Sequence, residues 1–197
     1  MAGAKGVSSL EESMRKLRLD NRQLEILNHV HSALKVQGDF EYFESRLDVD
    51  GESFVVIHGF LAIAGLGTIN VLFNLPTKTS SVFLAIAENS FAEVARILAN
   101  VEDYQRANGR HIGFGETMGL DGTWPSLLTQ EASALIFLPC SVSLNLQPLT
   151  DEFLLDDEKV KFALVVPITD DDIRIRHEQG LDALFSRWDE VGKNLMM

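Results

Sequence analysis

Five histidines, a single cysteine and two closely spaced glycine pairs are the groups in this 197-residue chain best suited to chemistry. His29 and His31 stand two residues apart in a stretch of helical period, so they point to different faces and cannot chelate one metal ion. His111 and Glu116 flank Gly113-Phe114-Gly115 in the manner of a loop acid–base pair, but two positions define no catalytic geometry. Cys140 follows Leu138-Pro139 at the end of an apolar run, which predicts a buried, inert thiol rather than a nucleophile. One cysteine also excludes an internal disulfide and a thiolate zinc site. Gly65-x-Gly67 and Gly113-x-Gly115 lack the third glycine and the following helix of a phosphate cradle, and there is no Gly-x-Ser-x-Gly elbow. The expectation is therefore no catalytic residue, no metal and no cofactor. A small-molecule enzyme of unknown reaction stays open as an alternative, because a pocket of convergent polar groups leaves no mark in sequence.

Charge points toward a different class of function. Lys+Arg 17 against Asp+Glu 29 gives a formal net charge of −12, which opposes binding to nucleic acid, where affinity comes from neutralising phosphates. Residues 1–35 carry six basic and four acidic side chains, whereas 151–190 carry twelve acidic and five basic, so the excess negative charge sits near the carboxy terminus. Asp156, Asp157, Asp170 and Asp171 lie in that region. They admit two readings, a solvated face with Asp170 and Asp171 at a helix start, or a docking surface for a protein with a basic segment. The lone cysteine fits a reducing cytoplasm, and Met1–Ser9 lack the charge and apolar run of a signal peptide. Oligomeric state is left open.

The elements that would carry these residues follow from periodicity. Ser9-Leu10-Glu11-Glu12 has capping-box spacing and predicts a helix that starts there and is ended by Gly38, with Leu10, Met14, Leu17, Leu24, Leu27, Val30 and Leu34 on one face. Phe54–Leu75 has no fully charged side chain and is long enough to span a bilayer. Its glycines and β-branched clusters instead predict two buried strands and no membrane segment. Strands are expected near 40–48, 53–60, 68–75 and 81–87, with a hairpin turn at Asp48-Val49-Asp50-Gly51. A helix with Ser90-Phe91-Ala92-Glu93 as capping box follows, its apolar positions Phe91, Val94, Ala95, Leu98, Val101 and Tyr104, ending at Asn108-Gly109. Ala134–Leu138, Val142–Leu146 and Val160–Val166 read as strands, the last ended by Pro167; Thr169 caps an acidic helix that Gly180 interrupts before 181–191. The pattern is an amino-terminal amphipathic helix over 1–37 and a single α+β domain over 38–197. That domain has a mixed or antiparallel sheet of six or more strands with the helix near 90–107 packed on it.

Several of these pieces together resemble the suppressor of fused family, in its bacterial form. Val82–Ala87 leads into a helix with Ala95-Arg96-Ile97-Leu98-Ala99-Asn100, similar to the family's Leu-x-x-Leu-Ala-x-Tyr. Gly113-Phe114-Gly115-Glu116-Thr117 resembles its glycine–acid turn. Leu135–Pro139 follows, and then Val160–Val166 runs into Pro167-Ile168-Thr169-Asp170-Asp171, the most specific match. His177-Glu178-Gln179-Gly180-Leu181-Asp182-Ala183-Leu184 is similar to the bacterial His-Gly-Leu-x-x-Leu ending, and Ser53–Phe60 keeps the glycine of an aromatic-rich family strand. The resemblance implies a mixed α+β domain that binds protein segments without chemistry of its own. Eukaryotic relatives hold a transcription factor, and small bacterial ones look like immunity proteins that neutralise a toxin. It also implies that Glu116 faces the partner. An acidic cytosolic secretion chaperone, which would be an obligate dimer, is the alternative.

Overall fold

The computed structural model describes residues 18–65, 67–120 and 132–197. Strands β1 (Asp39–Val49) and β2 (Glu52–Ile63) form a hairpin closed by Asp50 and Gly51, at φ 48° and 82°. Two successive positive-φ residues give a turn whose twist matches that of the strands, and Asp-Gly tolerates it at little cost. The chain meanders on through β3 (Gly67–Asn74) and β4 (Ser81–Ala87), all antiparallel. The uncharged stretch at 54–75 is thus two strands, and among the described residues no helix is long and apolar enough to cross a membrane.

Beyond β4 come helix α2 (Phe91–Asn108) and strands β5 (Thr117–Gly119), β6 (Ala134–Pro139), β7 (Glu152–Leu155) and β8 (Glu158–Ile168). Strand β8 returns parallel to β4, with Ser81 opposite Lys161 and Leu84 opposite Leu164. Its carboxy-terminal half carries β6 and its amino-terminal half β7, both antiparallel. The resulting mixed sheet of eight described strands runs β1-β2-β3-β4-β8-β6-β5, with β7 beside β8.

Every residue of β4 is buried. Val82, Leu84 and Ile86 join one core cluster, while Phe83, Ala85 and Ala87 join another on the opposite face. A strand apolar on both faces needs cover on both. Helix α2 covers the second face with Val94, Leu98 and Val101. The first is covered by α1 (Asn21–Leu34), through Ile26, Leu27, Val30 and Leu34, and by Leu184 and Trp188 of α4 (Leu181–Val191), which follows α3 (Asp170–Gln179). Close approach fixes two glycines on this side. A Cβ on Gly59 would strike the Phe40 ring, and one on Gly38 would overlap the Ala62 carbonyl.

Several boundaries differ from the sequence reading. The Ser9 capping box lies outside the described residues, and residues 18–20 are not helical; α1 starts behind Asp20, whose carboxylate accepts from the Gln23 N–H at 2.8 Å while Gln23 Oε1 accepts from the Asp20 N–H. Ser90 does not cap α2, for it adopts φ 54° and its hydroxyl donates to Asn89 Oδ1. Phe91 is half-buried and Tyr104 exposed rather than core. Val142–Leu146 forms short 3-10 turns, because the flanks of β8 are already occupied, one by β4 and the other by β6 and β7. Strand β8 continues through Pro167, which lies beyond the last β4 partner at Leu164, so its missing N–H costs no rung there. Strand β7 went unrecognised inside an acidic run.

One buried polar link ties α2 to the sheet. The Asn74 side-chain oxygen accepts from the Phe83 N–H at 2.6 Å, and its amide donates to Glu102 Oε2 at 2.6 Å. Desolvation pushes the Glu102 carboxyl up from 4.5 to about 7, against the opposing effects of the Asn74 bond and Arg106.

Two stability tests follow from this packing. Leu98→Ala should cost about 2–5 kcal/mol by lost transfer energy and cavity formation, while Arg96→Ala on the exposed side should stay within about 0.5 kcal/mol. Chemical denaturation of both variants checks this, and equal small shifts would place the contact face of α2 elsewhere. For Glu102, the folded chain holds a proton that the unfolded chain has released between pH 4.5 and about 7. Stability from the neutral carboxyl is therefore full below 4.5 and lost as pH rises to about 7, about 3 kcal/mol in all. Glu102→Gln should remove that fall, so the variant gains on wild type in melting temperature from pH 5 to pH 8. Burial lowers the pKa of His29, His31 and His58, whose effect below pH 6.5 is common to both proteins and cancels in the difference.

Candidate functional site

Helix α2 presents Arg96, Asn100, Asp103, Tyr104, Ala107 and Asn108 on the side away from the sheet, at steps of three and four residues along one stripe. The sheet curls so far around the helix that strands from its two opposite ends both reach this stripe. Leu47, Asp48, Val49 and Asp50 arrive from the tip of the β1–β2 hairpin, and Met118 and Gly119 from β5. Together they enclose an open groove of ≈ 570 Å³. Its floor is helix and its walls come from the two end strands of the described sheet.

The charged lining is Asp48, Asp50 and Asp103 against Arg96, and among the described residues none of the four stands in an ion pair. Tyr104, 43% exposed, offers an aromatic ring on the floor. Such a surface can hold an extended or helical segment through backbone bonds, an aromatic contact and attraction for cationic side chains. Nothing in it resembles a nucleophile with its base.

At the amino-terminal end of the same helix an aromatic group is partly open. Phe43, Phe60 and Phe91 pack around His58 at centroid distances of 4.7, 4.3 and 4.1 Å, and Phe43 is 48% exposed. His58 Nε2 meets Asn70 Oδ1 at 3.4 Å, and burial lowers the ring pKa, so it is a packed side chain.

The residues singled out in the sequence fall in several places. Glu116 precedes β5, pairs with Arg110 at 2.8 Å, and its carbonyl accepts from the Phe137 N–H. Asp156 and Asp157 form the tight turn between β7 and β8, at φ 49° and 64°. Asp170 and Asp171 lie in the first turn of α3, Asp171 bonded to Arg174 at 2.9 Å. The eleven residues of β8 separate these two aspartate pairs, a run of about 36 Å at 3.3 Å per residue. They therefore form two surfaces. His111 Nδ1 faces Ser80 Oγ at 3.5 Å and Gln105 Nε2 at 3.4 Å, not Glu116. His29 stacks on Phe153 at 4.1 Å, whereas His31 packs against Phe40 and Tyr42. Cys140 is fully buried and desolvation raises its thiol pKa well above the ordinary value. Asp48, Asp50, Asp103 and Tyr104 were not picked out. The hairpin signal and the helical period placed each of them, but no local pattern tells which strands curl to meet the helix.

Comparison with known proteins agrees with the fold. The family described as Suppressor of fused protein (SUFU) matches residues 71–197. No curated protein sequence matches the chain. The crystal structure of a SUFU homolog from Neisseria gonorrhoeae FA 1090 superposes with a TM-score of 0.64 at 17% identity, covering 90% of this chain and 93% of that one. A chain of the Sufu–Fu complex superposes at 0.58 with 9% identity, covering 84% and 82%.

Proposed function

The chain belongs to the suppressor of fused family, and from that premise we propose that it is a non-catalytic protein-binding domain whose groove over α2 receives a basic segment of its partner. The observation that carries this reading is the groove itself. Three aspartates without an ion pair among the described residues, Asp48, Asp50 and Asp103, and an exposed tyrosine converge between the two end strands of the described sheet. Glu116 stands two residues before the lining residue Met118, and its exposed pair with Arg110 is worth little and can open. Asp156, Asp157, Asp170 and Asp171 stand apart and contribute by long-range attraction, which speeds encounter with a cationic partner within a Debye length of about 10 Å at 0.1 M salt. The likeness to a complex between Sufu and Fu supports a protein as the ligand. The finer reading is an immunity protein that neutralises a toxin by holding such a segment.

An array of linear peptides of graded charge tests the proposal with the intact chain. Peptides rich in Lys and Arg should be retained over acidic and neutral ones, and association should slow as salt rises from 0.1 M to 1 M. Asp103→Lys and Asp48→Lys should each weaken retention about tenfold or more without a comparable loss in melting temperature. Retention that ignores peptide charge, or survives both reversals, would overturn the groove as the site and favour the chaperone reading. Turnover of a small molecule that is lost in His111→Ala would instead favour an enzyme.

A further inference from the structure

The loop between β3 and β4, residues 75–80, crosses the carboxy-terminal end of α2 and leaves a second pocket of ≈ 390 Å³ beneath it. All its charged lining is basic, although the chain carries −12 overall. Lys78 comes from the loop, Arg106 from the last turn of α2, and Arg110 and His111 from the segment after Gly109. Two further lining residues hold buried polar atoms without hydrogen-bond partners among the described residues, Thr79 Oγ1 and Gln105 Oε1. Gln105 is only 3% exposed, and its amide nitrogen lies 3.0 Å from Ser81 Oγ. Both atoms are shut off from the surface as the side chains stand, so a ligand in the pocket pairs with these groups only once the Thr79 and Gln105 side chains turn toward it.

We infer that this pocket binds a phosphate group, free or carried by a small soluble ligand, a role separate from the groove and independent of the protein-binding reading. A change of χ1 rotamer turns the Thr79 hydroxyl into the pocket to donate. A half-turn of the Gln105 amide gives its oxygen to the Ser81 hydroxyl and an N–H to the pocket. Lys78 has no acid within ion-pair distance among the described residues. Arg110 is free to exchange Glu116 for the ligand, because both partners of that pair are solvent-exposed, at 61% and 37%. Arg106 is more fixed, bonded to Glu52 at 3.3 Å over the Phe54 ring, and supplies field rather than a movable contact. Cations and donors arriving from the loop, the helix and the segment beyond it suit the divergent oxygens and double charge of phosphate better than the two coplanar oxygens of a carboxylate. The volume leaves room for a small organic group behind the phosphate.

Titration of the intact chain with inorganic phosphate, glycerol 3-phosphate or acetate, at ionic strength held constant with chloride, decides the matter by calorimetry and thermal shift. Phosphate should give a saturable rise in melting temperature that acetate does not. Lys78→Ala and Arg110→Ala should each weaken it about tenfold, through loss of one charge-assisted bond. Lys35→Ala, which removes the same charge beyond the far end of α1, should leave affinity unchanged. Tighter binding of glycerol 3-phosphate assigns the site to phosphomonoesters, and equal or weaker binding assigns it to free phosphate. A response equal to that of acetate, or one unaltered by Lys78→Ala, would overturn the inference.

Discussion

Burial of β4 on both faces is the constraint from which most of the architecture follows. A strand with no wet side must have a neighbour on each flank and a helix above and below, and β3, β8, α2 and the α1–α4 layer fill those places. Parallel pairing with β8 then requires a long crossover, since parallel strands cannot be joined by a tight turn. Helix α2 and strands β5, β6 and β7 are all accommodated within it. Among the described strands the ends of the main path are β1 and β5, at opposite ends of the sheet, and the curl of the sheet brings both to the outer side of α2.

Helix α2 consequently serves three environments at once. Val94, Leu98 and Val101 enter the core, Glu102 and Gln105 form a buried polar stripe beside it, and Arg96, Asn100, Asp103 and Tyr104 face the groove. The polar stripe is not incidental. Asn74 holds the β4 backbone with one end of its amide and Glu102 with the other, so the helix is registered against the turn between β3 and β4. An acidic groove and a basic pocket thus lie on adjoining surfaces of one helix. Net charge describes neither of them, because each is set by which stripe of the helix a side chain occupies.

Much of the acidity near the carboxy terminus has local structural work. Asp172 closes a capping box with Thr169, accepts from Trp188 Nε1 at 2.7 Å and from Lys193 Nζ at 2.7 Å, and its pKa is lowered because these partners outweigh its desolvation. Asp170 and Asp171 sit where the helix dipole favours negative charge, and Asp156-Asp157 accept positive φ at a hairpin turn. Composition records such residues only as excess charge.

The sequence by itself determined the elements whose signal is local. The Asp-Gly hairpin, strands near 53–60, 68–75 and 81–87, the course of α2 to Gly109, the Thr169 cap and the Gly180 break were legible because each depends on turn chemistry, capping or a repeated apolar spacing. So was the family, through the strand running into Pro167-Ile168-Thr169-Asp170. Tertiary structure decided the rest. Val142–Leu146 has strand-like alternation but the flanks of β8 beside it are taken, and β7 exists only because β8 is long enough to hold two partners on one flank. Tyr104 keeps the apolar period yet is exposed, since it lies on the stripe of α2 that floors the open groove. Asp48, Asp103 and Gly119 share a groove only after a twisted sheet has carried its two ends around a helix. That closure is set by the pairing of strands far apart in sequence, and no window of sequence contains it.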